Sequence, residues 1–103
     1  MQTKASRTTP STLPAPGALS AAAGNHEGEI NLTWRKVENS RSYIIQMRPD
    51  PPTADSWGHA ETVTIASKTI QNLTSGKKYW FRVAAIGSTG QSGWSEPATR
   101  IAP

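Results

Sequence analysis

The 103 residues predict an all-β fold, a sandwich or barrel of about seven strands without a disulfide. Three observations carry that expectation. Short runs of alternating apolar and polar residues recur along the chain, which is the period of a half-buried strand. Clusters of Gly, Pro, Asn and Ser punctuate those runs at turn-like intervals. No stretch repeats apolar residues at helical spacing, and there is no cysteine, so the fold must rest on its apolar core alone.

Taken in order, residues 1–16 (MQTKASRTTPSTLPAP) are rich in Ser, Thr and Pro and offer almost nothing to bury. They read as a flexible leader, because such a segment cannot offset its ordering entropy, and the domain is placed at 17–103. A weak first strand over 18–23 ends at Gly24-Asn25. The second, 29–34, puts Ile30, Leu32 and Trp34 on one face. The third, 42–48, sets Tyr43, Ile45 and Met47 against Ile44, Gln46 and Arg48, and prolines 49, 51 and 52 stop it because they cannot donate to a ladder. Two short strands follow at 61–65 and 67–73. The strongest strand, 78–86, alternates Tyr79, Phe81, Val83 and Ala85 with Trp80, Arg82, Ala84 and Ile86. A Gly/Ser hairpin over 87–93 leads to a last strand over 94–101. The inward set is Leu19, Ile30, Leu32, Trp34, Tyr43, Ile45, Val63, Ile70, Leu73, Tyr79, Phe81 and Val83, each large side chain worth about 1.5–3 kcal/mol before entropy.

These residues resemble a known family. The stretch from Leu73 through Gly76, Tyr79, Phe81 and Val83 to Ala85 is similar to the signature around the sixth strand of a fibronectin type III domain, where a Leu, a Pro-Gly turn and a Tyr precede a Val-x-Ala-like strand. Trp34 matches the core tryptophan of the second strand, Tyr43-Ile44-Ile45 the third strand, and Gly93-Trp94-Ser95-Glu96-Pro97 the start of the last. The resemblance covers residues 16–103. It implies a seven-stranded Greek-key β-sandwich and a tyrosine corner at Tyr79, with the hydroxyl reaching backbone a few residues upstream. Ser75 stands where the family usually has proline, and the Arg-Gly-Asp tripeptide of integrin-binding members is absent. The run from Pro49 to Trp57 and the Trp-Ser-Glu-Pro ending resemble modules appended to bacterial multidomain proteins.

Catalytic chemistry finds no constellation. With cysteine missing, His26 and His59 are the only imidazole bases, and both sit in polar, loop-like contexts. Gly90-Gln91-Ser92-Gly93 lacks the spacing of a nucleophile elbow, and the glycines at 87, 90 and 93 open no helix that would cradle a phosphate. The seven acids are scattered, and neither His26 with Glu27 nor His59 with Asp55 offers a third metal ligand. Asn31-Leu32-Thr33 and Asn72-Leu73-Thr74 are formal glycosylation acceptors, read here as strand and turn residues. No enzyme activity, metal or cofactor is expected. The net charge of +4 is spread over single residues and pairs, which argues against nucleic acid as the partner. No apolar run approaches the ~20 residues of a membrane span, no secretion signal is recognisable, and the localisation stays open, an extracellular parent included.

The informative surface residues are aromatic. By alternation Ile44 and Trp80 point outward from adjacent strands, with Arg82, Arg48 and Gln46 nearby. Trp94 lies where family members stack a tryptophan on neighbouring arginines, so that it and Arg82 either brace the sheet's outer face or bind a partner, and Trp57 either caps the open end of the core or meets a partner. Ile44, Trp57, Trp80, Arg82 and Trp94 form the candidate interaction surface, since aromatic and arginine side chains anchor interfaces. The expected function is a non-catalytic protein-interaction or spacer module, monomeric, within a larger protein. The alternative is a carbohydrate-associated module of a secreted bacterial hydrolase, its tryptophans stacking on sugar rings.

Overall fold

A computed structural model of the chain describes residues 13–49 and 57–103. Residues 1–12 of the leader expected over 1–16, Asp55 and the prolines at 51 and 52 lie outside the described residues. The elements, all strands, are β1 (Ser20–Ala23), β2 (Ile30–Thr33), β3 (Ser42–Pro49), β4 (Gly58–Val63), β5 (Ser67–Ile70), β6 (Lys78–Gly87), β7 (Gly90–Gln91) and β8 (Ala98–Ile101). They form two antiparallel sheets, a small one in the order β1-β2-β5 and a large one in the order β4-β3-β6-β7, with β8 also on β6. Eight strands among the described residues replace the expected seven, and the reason lies along one edge of β6. There β7 pairs with Ile86 and Gly87 while β8 pairs with residues 78–81, so the last strand of the sandwich is an interrupted one.

Two serines bridge the interruption. Ser92 and Ser95 donate their backbone N–H groups to the carbonyls of Ala85 and Val83 (2.8 Å each). Their hydroxyls accept in return from the N–H of Ala85 (2.8 Å) and of Val83 (3.0 Å). Side-chain oxygens thus stand in for main-chain carbonyls, both serines are buried, and no β6 donor here is left unpaired. Trp94, lodged between the two serines in sequence, is thereby fixed against the sheet.

The core forms where the two inner faces meet. Ile30, Leu32 and Ile70 of the small sheet are buried together with Tyr43, Ile45, Phe81 and Val83 of the large one. Trp34 fills the space between the sheets, its ring edge-on to Tyr43 at 5.3 Å and 69°. Leu19, Val63 and Leu73, expected to be interior, only border the core. Val37, Ala85 and Ala102 are fully part of it. Two tyrosines tie core to backbone. Tyr79 accepts the Thr74 N–H at 2.9 Å, the corner expected from the sequence, and Tyr43 accepts the Val37 N–H at the same distance.

The first and last described residues are secured at opposite poles. At one, Leu13 borders the core, and a Cβ on Gly87 would come within 2.9 Å of Leu13 Cδ1. At the other, Gly28 donates to the Pro103 carbonyl (2.8 Å) while its own carbonyl accepts the Leu73 N–H (3.0 Å). Gly28 is left-handed (φ 80°), and a Cβ there would lie 2.6 Å from the Leu73 carbonyl oxygen. Gly76 has nearly the same φ of 84° but open space around it.

Two stability predictions follow from these contacts, both read by urea denaturation. Gly76→Ala should cost about 1–2 kcal/mol, the left-handed strain alone, and Gly28→Ala distinctly more because main chain must also move. Tyr43→Phe, which strands the buried N–H of Val37, should cost about 1–3 kcal/mol and exceed the loss from Tyr79→Phe, whose partner N–H is only partly buried.

Candidate functional site

The outer face of the large sheet is set by register. Ile44, Gln46 and Arg48 of β3 oppose Ala84, Arg82 and Trp80 of β6, and Trp80 and Lys78 oppose Thr99 and Ile101 of β8. On β4, His59 lies opposite Gln46 across a bulge that leaves Ala60 unmatched. These strands contribute no Asp or Glu to the face, because Glu61 pairs with Ile45, whose side chain points to the core.

Four side chains on this face alternate as cation, ring, cation, ring. The Arg48 guanidinium sits 4.3 Å from the centre of the Trp57 ring. Arg82 sits 4.4 Å from the same ring and 4.3 Å from that of Trp94. The order is therefore Arg48–Trp57–Arg82–Trp94. Arg82 is further oriented by Gln46, whose Oε1 accepts from Nε at 2.8 Å and from Nη2 at 2.6 Å. The β3–β6 register places Gln46 and Arg82 directly across from each other, which makes this fork a cross-strand pair of the face.

Electrostatics work against the stack. Burial first, and then the positive charge of Arg48, pull the Arg82 guanidinium below its ordinary pKa. Both causes disfavour the charged form in the folded state. The shift is thus a cost, present wherever the unfolded side chain is protonated and relieved only far above neutral pH, since arginine stays charged throughout that range. Arg48 adds to it, its Nε being buried without a hydrogen-bond partner among the described residues. What offsets the cost is ring contact, at about 0.5–2 kcal/mol per stacked pair.

Of the expected surface residues, Trp57, Arg82 and Trp94 come together in the stack, and Ile44 and Trp80 share its face. Trp80 is not a rung; Lys78 Nζ lies 5.8 Å from its ring centre. Trp57 does not cap the core but joins two arginines. Sequence reasoning left Arg48 and Gln46 outside the candidate set. Alternation already set both beside Ile44 on the outward side of β3, and the β3–β6 register, which sets them opposite Trp80 and Arg82, is what brings them into the site.

Elsewhere the surface is plain. His26 and His59 are exposed, and among the described residues no three His, Asp or Glu side chains gather as a metal would require. The depression over the small sheet, lined by Glu29, Asn31, Thr33, Ile65 and Lys68, is polar and open, with Asn31 Oδ1 already accepting from Thr69 Oγ1 at 2.7 Å.

A family model described as the fibronectin type III domain matches residues 14–101. The chain belongs to the fibronectin type III family. Its likeness to the titin homolog of Caenorhabditis elegans is 36% identity over 70 residues, 65% of this chain and a share of that protein that rounds to 0%. The fibronectin type III chain is thus comparable to a minute part of that relative. It also superposes on a solved structure of titin kinase and its flanking domains with a TM-score of 0.74 and 25% identity, over 86% of this chain and 17% of the other. An Fn3-like protein from Clostridium thermocellum shares the fold with a TM-score of 0.77 at 23% identity, over 90% of this chain and 96% of that one. The bacterial parent suggested by Pro49–Trp57 has no support beyond that fold likeness, the sequence relative being from a nematode. The family and the multidomain proteins in which it occurs are consistent with a non-catalytic module.

The stack makes a quantitative prediction for the fibronectin type III domain. Trp57→Ala loses two ring contacts and Trp94→Ala one, so the first should cost roughly twice as much stability, at about 0.5–2 kcal/mol per contact. Added salt should narrow the gap in chemical denaturation, because without the Trp57 ring the Arg48–Arg82 repulsion is open to screening.

Proposed function

We propose that this domain is a non-catalytic protein-interaction module of a larger protein, and that it meets its partner through the outer face of the large sheet. The observation that carries this reading is the Arg48–Trp57–Arg82–Trp94 stack. Arginine and tryptophan dominate the energetics of protein interfaces when they are held rigidly around a central patch. Here the side chains are ordered in advance by stacking and by the Gln46 fork, so a partner would lose little side-chain entropy in using them. Trp80, Ile44 and the 55%-exposed Ile101 extend the same face with apolar surface.

The test is an NMR titration of the isotope-labelled chain with the domains that flank it in its parent protein, and separately with a panel of neutral oligosaccharides. Shifts confined to Ile44, Trp57, Trp80, Arg82 and Trp94 with a protein component are the expected result. Shifts at the same tryptophans with oligosaccharides alone would replace the protein partner with a glycan. An unchanged spectrum throughout would leave the domain a spacer.

A further inference from the structure

The stack is electrostatically unfinished. Two guanidinium groups share one indole, and among the described residues the surrounding strands supply no carboxylate to this face and the charged neighbour that acts on Arg82 is another arginine. Lys78 adds a third cation on the same face. A surface that concentrates positive charge beside partly desolvated rings is complementary to an anion, and the geometry of Arg82 narrows what kind.

The faces of the Arg82 guanidinium are covered by Trp57 and Trp94, and its Nε–Nη2 edge is spent on Gln46. What remains is the end edge, on which Nη1 and Nη2 each carry an N–H that makes no hydrogen bond among the described residues. Two parallel N–H groups at that spacing fit the two oxygens of a carboxylate. The rings on either side hold the fork in one plane, so the approach is directional.

The rest of the face selects among anions. Ile44, Ile101 and Trp80 flank the cations, and a polyphosphate or a sulfated glycan would have no apolar groups to place there. Three lysine and arginine side chains among the described residues of this face are also few for a partner held by charge alone. A peptide that carries carboxylates between apolar side chains satisfies both halves of the surface.

Resting on the interaction reading above, we propose that the partner presents an acidic protein segment, with an Asp or Glu carboxylate seated on the Nη1–Nη2 edge of Arg82 and apolar neighbours against Trp80, Ile44 and Ile101. The bound carboxylate also offsets the Arg48–Arg82 repulsion, so binding should tighten the stack.

The test uses the full chain, with poly-L-glutamate as the acidic probe and poly-L-glutamine as its neutral counterpart. Poly-L-glutamate is expected to shift the indole signals of Trp57 and Trp94 and to raise the urea midpoint, with both effects fading as salt rises. Poly-L-glutamine should do neither. Arg82→Gln should weaken poly-L-glutamate binding about tenfold, and Arg82→Lys nearly as much, because an ammonium keeps the charge but not the fork. Arg82→Lys also guards against misreading a folding defect, since its near-UV circular dichroism can be matched to the parent. A full response of the lysine variant would overturn the carboxylate seat. So would binding of heparin or DNA at these residues with no response to poly-L-glutamate. If a flanking domain still binds at Trp57 and Trp80 in the Arg82→Gln variant at undiminished affinity, the acidic partner is wrong while the interaction face stands. Silence of the face toward flanking domains and polyanions alike overturns both.

Discussion

Eight consecutive residue pairs, from Ser42↔Ile86 to Pro49↔Tyr79, join β3 to β6 in the middle of the large sheet. Because side chains alternate across a strand, this one register decides two surfaces at once. On the inner side it sets Tyr43, Ile45, Phe81 and Val83 into the core. On the outer side it sets Gln46 against Arg82 and Arg48 against Trp80. A slip of one residue would drive the arginines into the core and expose the aromatic core residues to water, at a cost the domain could not bear. The packed interior and the charged stack are consequences of the same hydrogen-bond ladder.

That coupling explains how the outer stack persists although its charges repel. Tyr79 and Tyr43 pin the ends of β6 and β3 to nearby backbone, at Thr74 and Val37. With both strands held, Arg82 and Arg48 have fixed roots, and little freedom is left to lose when they stack on Trp57. The core thus carries the conformational cost that an isolated pair of arginines would meet on its own. Ser92 and Ser95 do the same for Trp94, whose place over Arg82 depends on the hydroxyls that hold its flanks to β6.

Period-two alternation made most of this legible in the sequence. Residues 30–34, 43–47 and 79–85 show it cleanly, and nine of the twelve residues expected inside are buried: Ile30, Leu32, Trp34, Tyr43, Ile45, Ile70, Tyr79, Phe81 and Val83. Val37 and Ala102 escaped because they lie outside any alternating run. Val37 is buried by the loop that Tyr43 closes, and Ala102 by hydrogen bonds to Lys77 and Gly76. The interrupted last strand was hidden for another reason. Nothing in Ser92 and Ser95 announces that a hydroxyl will replace a carbonyl in a ladder, since serine in a Gly-rich stretch reads as a turn. At the surface, the outward placement of Ile44, Trp80 and Arg82 could be read from one strand at a time. Joining Arg48, Trp57, Arg82 and Trp94 needed four segments at once, and spacing along one strand carries no information about the others.

The serine-bridged segment has a bearing on how copies of this fold tolerate one another. An open sheet edge is a row of alternating donors and acceptors on which a foreign strand can register. Here the edge beyond β6 begins with two residues of β7, turns the N–H groups of Ser92 and Ser95 inward, and passes through Pro97, which has no N–H. The four residues of β8 that follow are too few for an intruding strand to grip at length. Modules strung along one chain are held at high local concentration, where a continuous edge would invite neighbours to exchange strands. An edge broken in this way keeps each bead folded on itself.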